Sequence, residues 1–257
     1  METSRKIKEY RQLVEDVKKC PKLDDCNSSK AKRCVKLEKC PDCDEINLWS
    51  YWQGGIDHLD AEILLVGQDW GDYDNEKVIQ LMNDIRSYNS GHIKAVDYLK
   101  DSDNPTDMNL CGLFKSIGEP VGKEYIKNTN VFFTNFVLCY REGKSGISGG
   151  FRQKWAVNCT PFFNRLVQII QPKIIICLGK AVFTNVIKSA GAKIQKTPYI
   201  DTIKNGGVPV KFGEHKCTVF PVAHCGVLGT NNRNRNHFFS DKLDLQIQDW
   251  ARIKAEI

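Results

Sequence analysis

Cys159-Thr-Pro-Phe-Phe-Asn-Arg-Leu-Val-Gln-Ile-Ile-Gln-Pro-Lys-Ile-Ile-Ile-Cys-Leu-Gly179 is the stretch on which the fold turns. Phe162, Leu166, Ile169 and Ile170 recur at helical spacing, Pro172 ends the helix, and within Lys173–Gly179 the residues Ile174–Leu178 are an unbroken apolar run of strand length that stops at glycine. A second helix follows at once, carrying Ala181, Val182, Phe183, Val186 and Ile187. Helix, buried strand and helix in this order are the repeating unit of a parallel sheet covered on both faces.

Three further strands read outward from this block. Glu62-Ile-Leu-Leu-Val-Gly67 opens into a polar loop at Gln68-Asp69-Trp70-Gly71, and Val131-Phe-Phe-Thr-Asn-Phe-Val137 leads toward the Gly/Ser-rich segment 143–150. After Gly206-Gly207, a hairpin-like stretch reaches Cys217-Thr-Val-Phe-Pro-Val222, which ends at Ala223-His224-Cys225-Gly226. Residues 72–112 are polar and rich in Asn and Asp, which fits a helix and a long surface loop. A last helix carries Leu243, Ile247 and Trp250. The expected fold is an α/β three-layer sandwich with a central, mainly parallel four-stranded sheet over residues 46–257.

The first 45 residues differ in character. Ile7, Tyr10, Leu13, Val14 and Val17 mark an amphipathic helix, after which residues 20–45 are polar and Lys-rich and hold five of the eleven cysteines: Cys20, Cys26, Cys34, Cys40 and Cys43. Such a segment has too little apolar surface to fold alone, so a bound metal is the expected substitute for a core. The start, METSRKIKEYRQ, is charged where a secretion signal would be apolar, and no stretch approaches the roughly 18 apolar residues of a membrane span. These readings give the expectation of a cytoplasmic monomer whose cysteines serve metal or redox chemistry rather than disulfides. Lys and Arg exceed Asp and Glu by 37 to 31, a net +6 that suits a polyanionic partner without establishing one.

In sheets of this kind, ligands collect where strands end at their carboxyl side. Asp69, Asn135 and His224 occupy three such ends. Singly, each has an ordinary role as helix cap, turn residue or rim histidine; together, an acid, an amide and an imidazole form a recognition and acid–base set.

At these residues the chain resembles the uracil-DNA glycosylase superfamily, and within it most closely the iron–sulfur (family 4) branch. Four strings carry the resemblance in order: Cys40-Pro-Asp-Cys43, Thr134-Asn-Phe-Val-Leu-Cys139, the Cys159–Gly179 block, and Pro221-Val-Ala-His224 with Asn231-Asn-Arg-Asn-Arg235. The resemblance implies a [4Fe–4S] cluster on Cys40, Cys43, Cys139 and Cys159, with a zinc site on the N-terminal cysteines, including Cys40 or Cys43, as the alternative. Cys177 lies in an apolar strand and is expected in the core, while Cys20, Cys26 and Cys34 have no place in the family pattern.

It further implies hydrolysis of the bond between uracil and deoxyribose in DNA. Asp69 would serve the water and the developing sugar cation, His224 would donate to the departing base, and Asn135 would read N3–H and O4 of uracil. Gly67, Gln68, Tyr73 and Asp74 would complete the base pocket; Val227 and Leu228 would form the wedge that displaces the nucleotide, and Arg233 and Arg235 would grip phosphate. The first motif departs from family 4: Gly67-Gln68-Asp69 is similar to the family 1 arrangement, which moves the carboxylate by one residue. The stacking aromatic has no evident counterpart, Tyr73 being a substitute, and Cys225-Gly226 stands where a Pro and a small residue are usual. The alternatives are a binding protein on this scaffold that has lost base excision, and a glycosylase for another deaminated base such as hypoxanthine.

Overall fold

A computed structural model describes residues 2–28, 36–38, 54–69, 75–96, 104–119, 121–122, 124–141, 152–235 and 241–257, with only the backbone given for 2 and 75–78. Its elements are α1 (Glu2–Lys18), α2 (Leu23–Asn27), β1 (Leu37–Glu38), β2 (Ile63–Gly67), α3 (Asn75–Asn89), α4 (Pro105–Ile117), β3 (Val131–Asn135), β4 (Tyr140–Arg141), α5 (Gln153–Ile170), β5 (Ile174–Leu178), α6 (Lys180–Ser189), α7 (Tyr199–Lys204), β6 (Val208–Phe212), β7 (His215–Val222), α8 (Val227–Arg233) and α9 (Asp244–Lys254).

The central sheet has the order β3-β2-β5-β7-β6. Its first four strands are the four read from the sequence, all parallel. The hairpin-like stretch supplies a fifth, antiparallel strand, β6, on the β7 edge. Gly213, with φ of 61° at the turn, makes that reversal in two residues, a conformation glycine adopts at no steric cost. The apolar runs bury both faces. Leu64, Val66, Phe132, Ile175, Cys177 and Val219 face α1, α5 and α6; Ile63, Leu65, Val131, Ile174, Ile176 and Phe220 face α4 and α9. Cys177 is fully buried in the first of these layers.

Two features differ from the sequence reading. The stretch 72–112 contains α3 and most of α4, whose start is set by Asn104: its side chain accepts from Thr106 N at 3.0 Å, with Pro105 in the first turn. Phe114 of α4 meets Trp250 of α9 edge to face, 5.1 Å between ring centroids. The first helix, placed by the sequence reading in an N-terminal extension, lays Tyr10, Leu13, Val14 and Val17 into the same apolar cluster as Phe132, Phe163 and Leu166. Lys6 ties it down: its buried ammonium donates to the carbonyls of Leu59 at 3.1 Å and Ile170 at 3.2 Å and pairs with Asp60 at 2.9 Å. Among the described residues no helix is long and apolar enough to cross a membrane.

Because the buried face of α1 is continuous with the sheet's core, Leu13→Ala is expected to cost about 3 kcal/mol of unfolding free energy. Urea denaturation checks this; an unchanged midpoint would mean that α1 is a detachable arm.

Candidate active site

The strand register decides which residues meet. Gly67 lies opposite Asn135, Val66 opposite Cys177 and Leu178 opposite Val222, so four parallel strands end together along one edge of the sheet. Every candidate read from a strand end follows from this edge.

Gly67 and Asn135 form the tightest part of it. A side chain at position 67 would collide with Oδ1 of Asn135, so the glycine vacates the volume the amide fills. Asn135 is only 5% exposed, and its amide makes no hydrogen bond among the described residues. An amide without an internal partner keeps both its donor and its acceptor available to a ligand with matching groups. The ladder runs on past the strand: Phe136 N donates to Gly67 O at 2.9 Å and Val137 N to Gln68 O at 3.0 Å, which fixes the backbone that carries Asp69.

Asp69 is nearly buried and is held by two donors at the same oxygen. Gln68 Nε2 reaches Oδ2 at 3.0 Å, and Arg141 Nη2, from β4, reaches it at 2.5 Å. Oδ1 has no partner among the described residues. Arg141 was not among the candidates read from the sequence; one arginine two residues beyond Cys139 gives no sign that it turns inward.

His224 stands on the loop leaving β7, its ring reaching solvent and its Cβ within 3.9 Å of where a side chain at Gly179 would begin. Gly226 N–H donates to Nδ1 at 2.9 Å. An imidazole nitrogen that accepts carries no proton, so the neutral ring bears its hydrogen on Nε2. Burial pulls the His224 pKa below the ordinary histidine value, and the Asp69 carboxylate opposes that pull, placing the two groups within electrostatic reach. The loop is anchored by Gln246, which donates to the His224 carbonyl at 3.1 Å, and Asn109 of α4, which donates to that of Cys225 at 2.7 Å. Gly226 is hemmed in by the His224 ring and Thr106 Oγ1, leaving little room for a side chain.

Val227 and Leu228 open α8 and are 54% and 74% exposed, two adjacent aliphatic side chains turned to solvent. Arg235 is exposed. Arg233 corrects the sequence reading: it is buried, with Nε and Nη2 donating to the two carboxylate oxygens of Asp249 at 2.7 and 2.9 Å, so its fork is filled within the fold and does not grip phosphate.

Cys139 and Cys159 lie in one packed group with Trp155, Val137 and Leu37, and the structure adds Cys26 to it. Trp155 Nε1 donates to the Cys26 carbonyl at 3.0 Å, and Asn158 Nδ2 reaches the Cys26 sulfur at 3.3 Å. Burial pushes the Cys159 thiol up to about 12, and the neighbouring Cys139, Cys26 and Cys20 thiols add to the rise. Among the described residues, no group of three or more His, Cys, Asp or Glu is placed to hold a metal ion. Cys40, Cys43, Tyr73 and Asp74 lie outside the described residues.

The search of curated proteins finds no match to the chain. A family model described as the uracil DNA glycosylase superfamily matches residues 54–245, which takes in Gly67, Asp69, Asn135 and His224 as well as Cys139 and Cys159, and leaves the N-terminal cysteines outside. With that match spanning well over half of its length, the chain belongs to the uracil DNA glycosylase superfamily, whose members are hydrolases of the glycosidic bond between base and sugar in DNA.

Proposed function

We propose that the chain excises uracil from DNA by hydrolysis. The observation that carries this reading is the buried, uncommitted amide of Asn135, on the sheet edge from which the Asp69 and His224 loops leave. Uracil presents a donor at N3 and an acceptor at O4, which an amide carbonyl and amide N–H satisfy together; cytosine presents the reverse at those atoms. A site that leaves a buried group unpaired with the wrong base rejects it by roughly 10⁴-fold.

Breaking the glycosidic bond puts negative charge on the base and positive charge on the sugar. His224, neutral and protonated on Nε2, donates toward the base oxygen where the negative charge grows. Asp69 offers Oδ1 to the attacking water and to the sugar cation. Val227 and Leu228 supply the apolar wedge that fills the space left by the extruded nucleotide, Arg235 contacts the backbone, and Tyr73 and Asp74 line the base pocket. No lysine stands among Gly67, Gln68, Asp69, Asn135 and His224, so the reaction ends at the abasic sugar without a lyase step.

The packed thiols fit a thiolate-bound [4Fe–4S] cluster in the chemistry of their donors. Cys139 and Cys159 would hold it together with cysteines of the N-terminal segment, Cys40 and Cys43 first and Cys26 as the competitor its packing suggests. When bound, the cluster supplies four iron–thiolate bonds that tie that segment to α5 and to the strand of Asn135.

Purified protein is incubated with oligonucleotides carrying uracil, hypoxanthine or thymine, in single and double strands, followed by alkaline cleavage. Uracil-specific product is expected, with Asp69→Asn and His224→Ala each slowing it by about 10²–10³-fold. Product from hypoxanthine alone would move the substrate, and none from any base, with DNA binding retained, would leave a binding protein.

The rate should also report the state of His224. Its lowered pKa favours the neutral ring, and protonation would set an Nδ1–H against the Gly226 N–H. Single-turnover excision is therefore expected to stay level from about pH 6.5 to 8 and to fall on acidification. A rate that climbs as the pH drops through 6 would make a cationic histidine the acting form.

Iron and sulfide analysis with visible absorbance tests the thiol site. Broad absorbance lost in Cys159→Ser is expected; colourless protein with stoichiometric zinc would replace the cluster, and parallel Cys26→Ser and Cys40→Ser variants show which residue completes the set.

A further inference from the structure

Asp69 presents a physical difficulty that the reaction alone does not resolve. Its side chain is 10% exposed, at the end of an apolar strand, and a desolvated carboxylate is costly unless paired. Arg141, 4% exposed, supplies the pairing, and it does so end-on: one guanidinium nitrogen meets one carboxylate oxygen, the oxygen that Gln68 also holds. Two donors on Oδ2 leave the carboxylate little freedom to turn, and Oδ1 is the oxygen left over.

Arg141 is in turn fixed from three sides. Its backbone pairs with Leu37 in the β1–β4 ribbon, its guanidinium lies over the Trp155 ring at 5.7 Å, and Asp69 takes its tip. Trp155 is a wall of the group that holds Cys26, Cys139 and Cys159, and Arg152 also covers its ring, at 5.1 Å. Arg141 thus joins the thiol group to the carboxylate by direct contact on both sides.

We infer that Arg141 is the positioning residue of the site: it seats the Asp69 carboxylate by Oδ2, so that Oδ1 faces water and sugar, and it transmits to Asp69 the order of the thiol-lined group behind Trp155. This inference rests on the glycosylase reading, since it assigns Asp69 its orientation within that reaction. Arg141 does not touch the substrate. Its contribution is geometric, and a displacement of the carboxylate by about 1 Å is enough to cost roughly 10²-fold in rate.

The test compares wild type, Arg141→Ala, Arg141→Lys, Asp69→Asn and the Arg141→Ala/Asp69→Asn double variant in single-turnover excision, with DNA affinity measured separately by fluorescence anisotropy. Arg141→Ala is expected to lose roughly 10²-fold in rate constant, while affinity, which rests on phosphate contacts, moves less than about threefold. Added guanidinium ion should restore about tenfold by refilling the vacated position, and the Asp69→Asn background should show no further loss. A wild-type rate in Arg141→Ala, or the same loss with and without Asp69, overturns the assignment; if Arg141→Ala does not fold, Arg141→Lys decides by the same criteria.

Should wild-type protein release no base, the glycosylase reading falls, and Arg141 is judged by binding alone. The probes are DNA with a cationic pyrrolidine abasic mimic and DNA with its neutral tetrahydrofuran counterpart. A preference for the cation that disappears in Arg141→Ala supports the positioning role. No preference in wild type, or one that survives the substitution, overturns it.

Discussion

The parallel ladder that sets Gly67 opposite Asn135 is the constraint from which the site follows. One residue of slip would send Asn135 to the opposite face and remove the glycine that makes room for its amide. The same ladder continues through the Phe136 and Val137 amides into the loop of Asp69, and its neighbours bring β7 to a common end, where His224 begins. Strands buried on both faces hold the ladder between two packed layers, and the seat of Asn135 over Gly67 exists in this alignment.

Around that edge the polar groups are set by hydrogen bonds that determine chemistry as well as shape. The Gly226 amide fixes which nitrogen of His224 carries a proton, and two donors on one oxygen of Asp69 fix which oxygen is free. One is a backbone amide and the others are side chains of the adjacent Gln68 and of Arg141 on β4, so these groups are disposed before any ligand arrives. Such prior order is the source of most electrostatic catalysis, since nothing need reorganise as charge develops.

How far the sequence revealed this depends on the kind of signal. Ile63–Gly67, Val131–Asn135 and Ile174–Leu178 are continuous apolar runs closed by turn residues, and a doubly covered parallel sheet is the arrangement that buries them. Asp69 and Asn135 were read where the first two of those runs stop, and His224 where β7 stops. The start of α4 was announced by Asn104-Pro105 yet hidden within a polar stretch whose buried face is built from only a few residues, Leu110, Leu113, Phe114 and Ile117. Strand β6 alternates Val208, Val210 and Phe212 with Pro209 and Lys211 and depends on its partner β7. Arg141 and Arg233 were beyond reach: an arginine that finds a buried carboxylate far along the chain looks, in one dimension, like any solvated arginine. Cys26 was likewise invisible, since its partners Trp155 and Asn158 lie more than a hundred residues away.

The anchoring of the first helix has a consequence for how the chain folds. Lys6 donates to the carbonyl of Ile170, 164 residues away, and Tyr10 and Leu13 rest in a layer shared with α5, so the apolar stripe of α1 finds its cover only when segments far apart in sequence have met. Contacts of such long sequence separation carry the largest loop-closure cost, so the docking of α1 weighs on the speed of folding more than its short length would suggest.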